Sequence, residues 1–176
     1  MRTFRTLAPV VLLCGGTSAL ATTTIETVQV GHVGNSADPT TGHGAVNYAY
    51  SIGKHEVTNA QYAAFLNAVA ATDTHGLYVT DMADSFGGIT RSGSAGSYTY
   101  ATIGGRENAA VVYTDFSDAC RFTNWLHNGQ LSGAAGEAST EDGSYSMSAG
   151  AYVTRNAGAS WVLPSEDEWY KAAYYQ

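Results

Sequence analysis

Leu163-Pro164-Ser165-Glu166-Asp167-Glu168-Trp169-Tyr170-Lys171-Ala172-Ala173, with Tyr174-Tyr175-Gln176 after it, is the stretch whose reading decides the fold. Ser165 and Glu168 stand at capping-box spacing, in which each side chain satisfies a free backbone amide at the start of a helix. Three acids, Glu166, Asp167 and Glu168, occupy the first turn, where the positive end of the helix dipole favours them. They are read as capping residues rather than as a general acid/base cluster. Trp161-Val162-Leu163 leads into this helix, and the sequence stops one or two turns into it. The apolar face of so well specified a helix is expected to need a further layer to pack against.

Working back from this block, two more helices have the same kind of start. Thr58 and Gln61 form a second capping-box pair, and Tyr62, Phe65, Leu66 and Val69 follow at helical spacing on one face. A further helix is predicted over Ser117 to His127, with Ala119, Phe122 and Leu126 on one face and Cys120 and Trp125 flanking it. Asn128-Gly129 is its stop signal. Ile25 to Val33 reads as a strand. Val46, Tyr48, Tyr50 and Ile52 alternate with small or polar residues, the period of a half-buried strand. Residues 72–108, rich in Gly, Ser, Thr and Asp, read as a long surface loop holding one short hairpin. Glu141-Asp142-Gly143 suits a tight turn between Ser/Tyr-rich strands.

Composition sets the outer limits. The 176 residues are 44% hydrophobic and only 13% charged, which supports a packed core and argues against global disorder. With 20 glycines and 12 tyrosines against 3 prolines, the pattern is of a loop-rich single domain rather than a helical bundle. Arg2 and Arg5, the apolar run Leu7 to Leu13 and Ala19-Leu20-Ala21 have the order of a secretory signal, so residues 1–21 are read as a signal peptide and 22–176 as the domain. The run is too short to span a bilayer, and Cys14 after Leu13 is a poor lipoprotein site. Export to the periplasm or the extracellular space follows as an expectation. Cleavage after Ala21 leaves 6 basic against 15 acidic residues, a net charge of −9, which argues against nucleic acid or an anionic membrane as partner. Cys120 is then the remaining cysteine, so that chain forms no internal disulfide.

Three blocks in order carry a family resemblance. Ile52-Gly53-Lys54-His55-Glu56-Val57-Thr58-Asn59-Ala60-Gln61-Tyr62-Ala63-Ala64-Phe65-Leu66 resembles an "E-V-T-N-x-Q-Y-x-x-F" opening. Ala110-Val111-Val112-Tyr113-Thr114-Asp115-Phe116-Ser117-Asp118-Ala119-Cys120-Arg121-Phe122-Thr123-Asn124-Trp125-Leu126 is similar to "P-V-x-x-V-S-W-x-D-A-x-x-Y-x-x-W-L". The Leu163 to Ala173 block is similar to "L-P-T-E-A-E-W-E-Y-A-A". Together these resemble the formylglycine-generating enzyme, or sulfatase-modifying factor, family, in the variant seen in exported bacterial paralogues. The resemblance covers most of residues 46–176 and implies an irregular α+β fold of the C-type-lectin-like kind, here an N-terminal portion incomplete at the C-terminus.

In complete members the resemblance implies copper and calcium, with two cysteines binding copper(I) and dioxygen converting a substrate cysteine of sulfatases to formylglycine. Soft thiolates suit copper(I), so that chemistry needs the pair. Those cysteines, and the Asn-Val-Trp-Glu-Trp-like and Arg-Gly-Gly-Ser-Trp-like motifs, lie beyond the Leu-Pro-x-Glu block and do not occur in these residues. No catalytic, cofactor-binding or metal-binding residue is therefore carried over, and whether the chain is an enzyme stays open. Two functions remain. One is a sulfatase-modifying-factor-like protein, inactive by itself, with a protein substrate as partner. The other is a non-catalytic module on the same fold that binds an extracellular protein or glycan. An iron-dependent sulfoxide synthase relative is a weaker third, since it would need a clustered histidine motif.

The remaining candidate residues have plainer readings. Cys120, beside Ala119 and Phe122, is read as a small buried hydrophobe. His32, His43, His55, His75 and His127 lack metal-ligand spacing and are read as surface or packing residues. Asp81 and Asp84, with Thr80 and Ser85, offer oxygen ligands of the kind calcium takes, but without EF-hand spacing they are read as a solvated loop. Trp125, Trp161 and Trp169 are read as core and scaffold rather than as a sugar-stacking surface. With the last helix lacking its partner layer, residues 22–176 are expected to be marginally stable, and a cooperative unfolding transition at high temperature would contradict this.

Overall fold

The computed structural model describes residues 22–175, so the segment read as a signal peptide lies outside the described residues. Two antiparallel hairpin-like pairs and three helices make a mixed α+β arrangement. β1 (Thr27–Val30) pairs with β2 (Tyr50–Gly53), Thr27 opposite Gly53 and Val30 opposite Tyr50. Helix α1 (Asn59–Val69) follows directly. β3 (Ile89–Ser92) and β4 (Thr99–Thr102) form the second pair, with Ile89 opposite Thr102. Helices α2 (Phe116–His127) and α3 (Glu166–Tyr174) complete the element order.

All three helices start on reciprocal capping boxes. Thr58 and Gln61 open α1 and Ser165 and Glu168 open α3, as their spacing predicts. The box of α2 is built from two acids, Asp115 and Asp118, which places its start at Phe116 rather than Ser117. The stop of α2 is a Schellman turn: Gln130 N–H donates to Trp125 O (2.8 Å) and Gly129 N–H to Leu126 O (3.2 Å). Gly129 adopts φ +79° there, in the left-handed region that glycine enters without a steric penalty.

The core lies where the apolar faces of α1 and α2 meet. Phe65 packs edge-on to Phe122, with ring centroids 5.4 Å apart, and against Trp125 at 5.3 Å. Tyr62 joins them, and Leu66, Leu77, Met82 and Ile89 fill the space towards the β3–β4 hairpin. Asn67 fastens that hairpin to α1 as though it were a third strand. Its amide donates to Tyr100 O (2.8 Å) and accepts from Tyr100 N–H (2.9 Å). The predicted hairpin within residues 72–108 is β3–β4, and a short 3-10 turn at Thr80–Ala83 accompanies it.

Three expectations change. Val46 to Ala49 does not extend β2, because the backbone of Val46 is engaged elsewhere. Its N–H donates to Asn35 Oδ1 (3.3 Å), and its carbonyl accepts from Gly34 N–H (3.1 Å) and Lys171 Nζ (3.3 Å). The turn at Glu141-Asp142-Gly143 joins no strands. Glu137–Glu141 instead forms one π-helical turn whose Thr140 and Glu141 amides donate to Gly136 O, and Tyr145 makes a single bridge to Arg155. Arg121 grips Glu141, and Asn124 donates to the carbonyls of Thr140 and Tyr145, so side chains of α2 shape this segment in place of a ladder. The third concerns α3, whose buried residues are Glu168 and Lys171, while Trp169 and Tyr174 stand exposed. This helix packs on the molecule through polar groups.

Replacing Phe65 by Ala removes the ring on which Tyr62, Phe122 and Trp125 converge. A loss of about 3–5 kcal/mol in unfolding free energy is expected, read from chemical denaturation followed by circular dichroism.

Candidate functional site

The densest set of convergent polar side chains lies at the start of α3. Glu168 faces inward because it is the N3 residue of the capping box, and it is 4% exposed. Its two oxygens receive four donors. Arg155 Nη1 donates to Oε1 (2.9 Å) and Arg155 Nη2 to Oε2 (2.5 Å), Tyr48 OH donates to Oε1 (2.5 Å), and the Ser165 amide donates to Oε2 (2.6 Å). Tyr50 OH donates to the Glu168 carbonyl, and Arg155 also reaches Leu163 O. A carboxylate held this way strongly favours its charged form. The Arg155 guanidinium, foremost, pulls its pKa down to about 2, and Arg155 is raised in return. So saturated a carboxylate is poorly placed to take or give a proton, and its geometry is that of a clamp.

One turn further along α3, Lys171 is 1% exposed. Its ammonium donates to His32 O (2.9 Å) and Val46 O (3.3 Å). Glu168 and Lys171 thus tie one helix face to the 32–50 segment. Asp167 adds a third tie by accepting from Gly44 N–H (2.8 Å). Gly44, at φ +90°, lies so close to α3 that a Cβ there would stand 2.9 Å from Tyr170 Cδ1. Glu166 remains exposed, 3.5 Å from His43 Nε2. The three acids read together as caps therefore have three different surroundings, and only Glu168 is buried.

The structure separates the other sequence candidates. Cys120 is fully buried, and burial pushes its thiol up to about 11. His75 lies 3.4 Å from Glu141, which Arg121 also holds. His127 Nδ1 sits 2.8 Å from Ser160 Oγ and accepts from the Ser160 amide; His32 meets the edge of Tyr175, and His55 is exposed. Asp84 organises its loop, accepting from the Phe86 and Gly87 amides and from Tyr113 OH, while Asp81, Thr80 and Ser85 are exposed. Among the described residues, no three or more His, Cys, Asp or Glu side chains are grouped so as to hold a metal ion. Trp125 is in the core and Trp161 half-buried against it, but Trp169 is 52% exposed, contrary to its reading as a core residue. It projects from α3 because the buried face of that helix belongs to Glu168 and Lys171.

Two of the concavities on the surface bear on function. A groove of about 630 Å³ runs between α1 and β4, walled by Ala60, Ala63 and Ala64 and bordered by Trp125. Its amide side chains are already engaged, Asn67 by Tyr100 and Gln130 by the backbone of Thr23. A smaller pocket of about 270 Å³ lies between residues 35–44 and the end of α3. Sequence reading missed the inward roles of Arg155, Tyr48 and Lys171. The one local signal was the i, i+3 spacing of Glu168 and Lys171, which places both on one helical face.

The clamp carries a definite pH dependence. The folded-state pKa of Glu168 is depressed, so its stabilisation is present above the ordinary carboxylate value of 4.5 and is lost as pH falls towards about 2. Glu168→Gln is expected to cost about 3 kcal/mol at neutral pH and to flatten the acid limb between those values, as read from thermal unfolding across pH.

The three motif blocks are now placed: two form the starts of α1 and α2 around the aromatic core, and the third forms the clamp helix. No curated protein and no solved structure matches the chain. A family model, the sulfatase-modifying factor enzyme 1-like domain, matches residues 2–174. With nearly its whole length matched, the chain belongs to the sulfatase-modifying factor enzyme 1-like family.

Proposed function

We propose that residues 22–176 act as a scaffold portion of an exported sulfatase-modifying-factor-like protein and do not oxidise cysteine by themselves. The observation that carries this reading is the state of Cys120. Formylglycine generation in the family calls for a pair of copper-binding thiolates. Cys120 is 0% exposed, lies in α2 and has a thiol pKa raised to about 11, so it is neither reachable nor readily ionised. The sequence's other cysteine, Cys14, belongs to the segment read as an export signal. The residues present therefore do not fit a two-thiolate copper site, and no oxidative step is routed through them.

Family membership and the irregular two-pair, three-helix arrangement support a C-type-lectin-like fold for the domain. The acidic balance of the chain and its N-terminal pattern support export and a protein or glycan partner over nucleic acid. A non-catalytic binding module is the second reading, favoured by the exposed aromatic side chains of α3 and by the groove between α1 and β4.

The full chain, supplied with copper(I), dioxygen and a cysteine-containing sulfatase peptide, is expected to leave the peptide thiol unchanged by mass spectrometry. A thiol reagent is expected to label Cys120 only after unfolding. Aldehyde formation, or rapid labelling of Cys120 in the folded protein, would overturn the proposal.

A further inference from the structure

In the smaller pocket, between residues 35–44 and the C-terminal turn of α3, aromatic side chains and an unneutralised carboxylate come together. We propose that it binds a quaternary ammonium group, with the rings of Tyr170, Tyr174 and Tyr175 as walls and Asp38 as the counter-charge. This goes beyond the scaffold reading and does not depend on the outcome of the oxidase question.

The walls follow from helical spacing. Tyr170 and Tyr174 are four residues apart on α3, and their rings stand 5.0 Å apart at 49°, an open angle rather than a stack. Tyr175 borders the same pocket and is steadied by an edge contact with His32 at 5.1 Å. Asp38 is held in place: Tyr170 OH donates to its Oδ2 (2.8 Å) and the Thr40 amide to its Oδ1 (2.7 Å). These hydrogen bonds, the Thr40 amide first, keep its carboxyl below the usual range, so it is charged at neutral pH. A phenol that donates to a carboxylate also has a more electron-rich ring, which strengthens attraction of a cation to its face.

Lys171 borders the pocket too, but its ammonium is turned into the carbonyls of His32 and Val46. The remaining chemistry selects among ligands. The Asn35 amide offers a sugar ring nothing further, since it donates to Ser36 O and Gly44 O and accepts from Val46 N–H. An anion is disfavoured by Asp38. A primary ammonium would give up its strong hydration for one carboxylate, while a trimethylammonium head is weakly hydrated and suits aromatic faces. The volume of about 270 Å³ admits such a head but falls below the roughly 300 Å³ at which drug-sized sites begin. The same head group occurs on free choline-type solutes and on phosphocholine lipids.

The test uses the full chain, titrated with tetramethylammonium, with choline and with its neutral isostere 3,3-dimethylbutan-1-ol, followed by calorimetry and tyrosine fluorescence. Both cations are expected to saturate, with the isostere at least about fivefold weaker. Tyr174→Ala and Asp38→Asn should each weaken choline by about fivefold, Tyr174→Phe should retain binding, and Phe86→Ala, outside the pocket, should change nothing. Circular dichroism of each variant checks the fold. Co-sedimentation with phosphocholine vesicles, but not with phosphatidylglycerol vesicles, would assign the head group to lipid, and binding of free choline alone would assign it to a solute. Equal binding of the isostere, saturation by neutral monosaccharides in place of choline, or no saturable binding of either cation would overturn the proposal.

Discussion

The carboxylate of Glu168 gathers donors from three separate stretches of chain, at Tyr48, Arg155 and Ser165, and the placing of α3 depends on it. Burying a charge is costly unless its hydrogen-bonding capacity is filled, and here both oxygens are filled while a guanidinium supplies the opposite charge. Lys171 solves the same problem one turn later with backbone carbonyls in place of a counter-ion. The consequence is an inverted helix. Glu168 and Lys171 face the protein, and Trp169 and Tyr174 face outward. The pocket lined by Tyr170 and Tyr174 exists because the inner face is already taken.

The other half of the molecule follows the ordinary rule. The α1 and α2 faces meet through Phe65, Phe122 and Trp125, and the hairpin is drawn in by Ile89 and Tyr100 beneath the Asn67 amide. Hydrophobic burial supplies the driving force there, and the polar side chains add register. Cys120 lies on α2, fully buried, and that burial raises its pKa.

Much of the candidate site was visible in the sequence only as chemistry without geometry. Glu166, Asp167 and Glu168 were recognisable as a helix start, and Ser165 with Glu168 as a capping box, because capping is settled within one turn of chain. That Glu168 alone is buried, and that Arg155 and Tyr48 meet it, was not recognisable. The Tyr48 partner lies 120 residues away in sequence, and the Lys171 partner His32 lies 139 away. The strand pattern at residues 46–52 misled for a related reason. Alternation reports which side chains can be buried on one side, whereas pairing is decided by where the backbone groups find partners, and the N–H of Val46 finds Asn35 while its carbonyl finds Lys171.

The sequence by itself determined the three helices, their capping boxes, the Schellman stop of α2 and the family, because each rests on contacts within a few residues or on contiguous motifs. Tertiary structure alone decided which face of α3 points inward, which acid is clamped, and that the tyrosines of its last turn line a pocket beside Asp38. Those outcomes depend on a loop more than a hundred residues upstream returning to the helix, and the free energy of satisfying a buried charge is settled only when that loop has arrived.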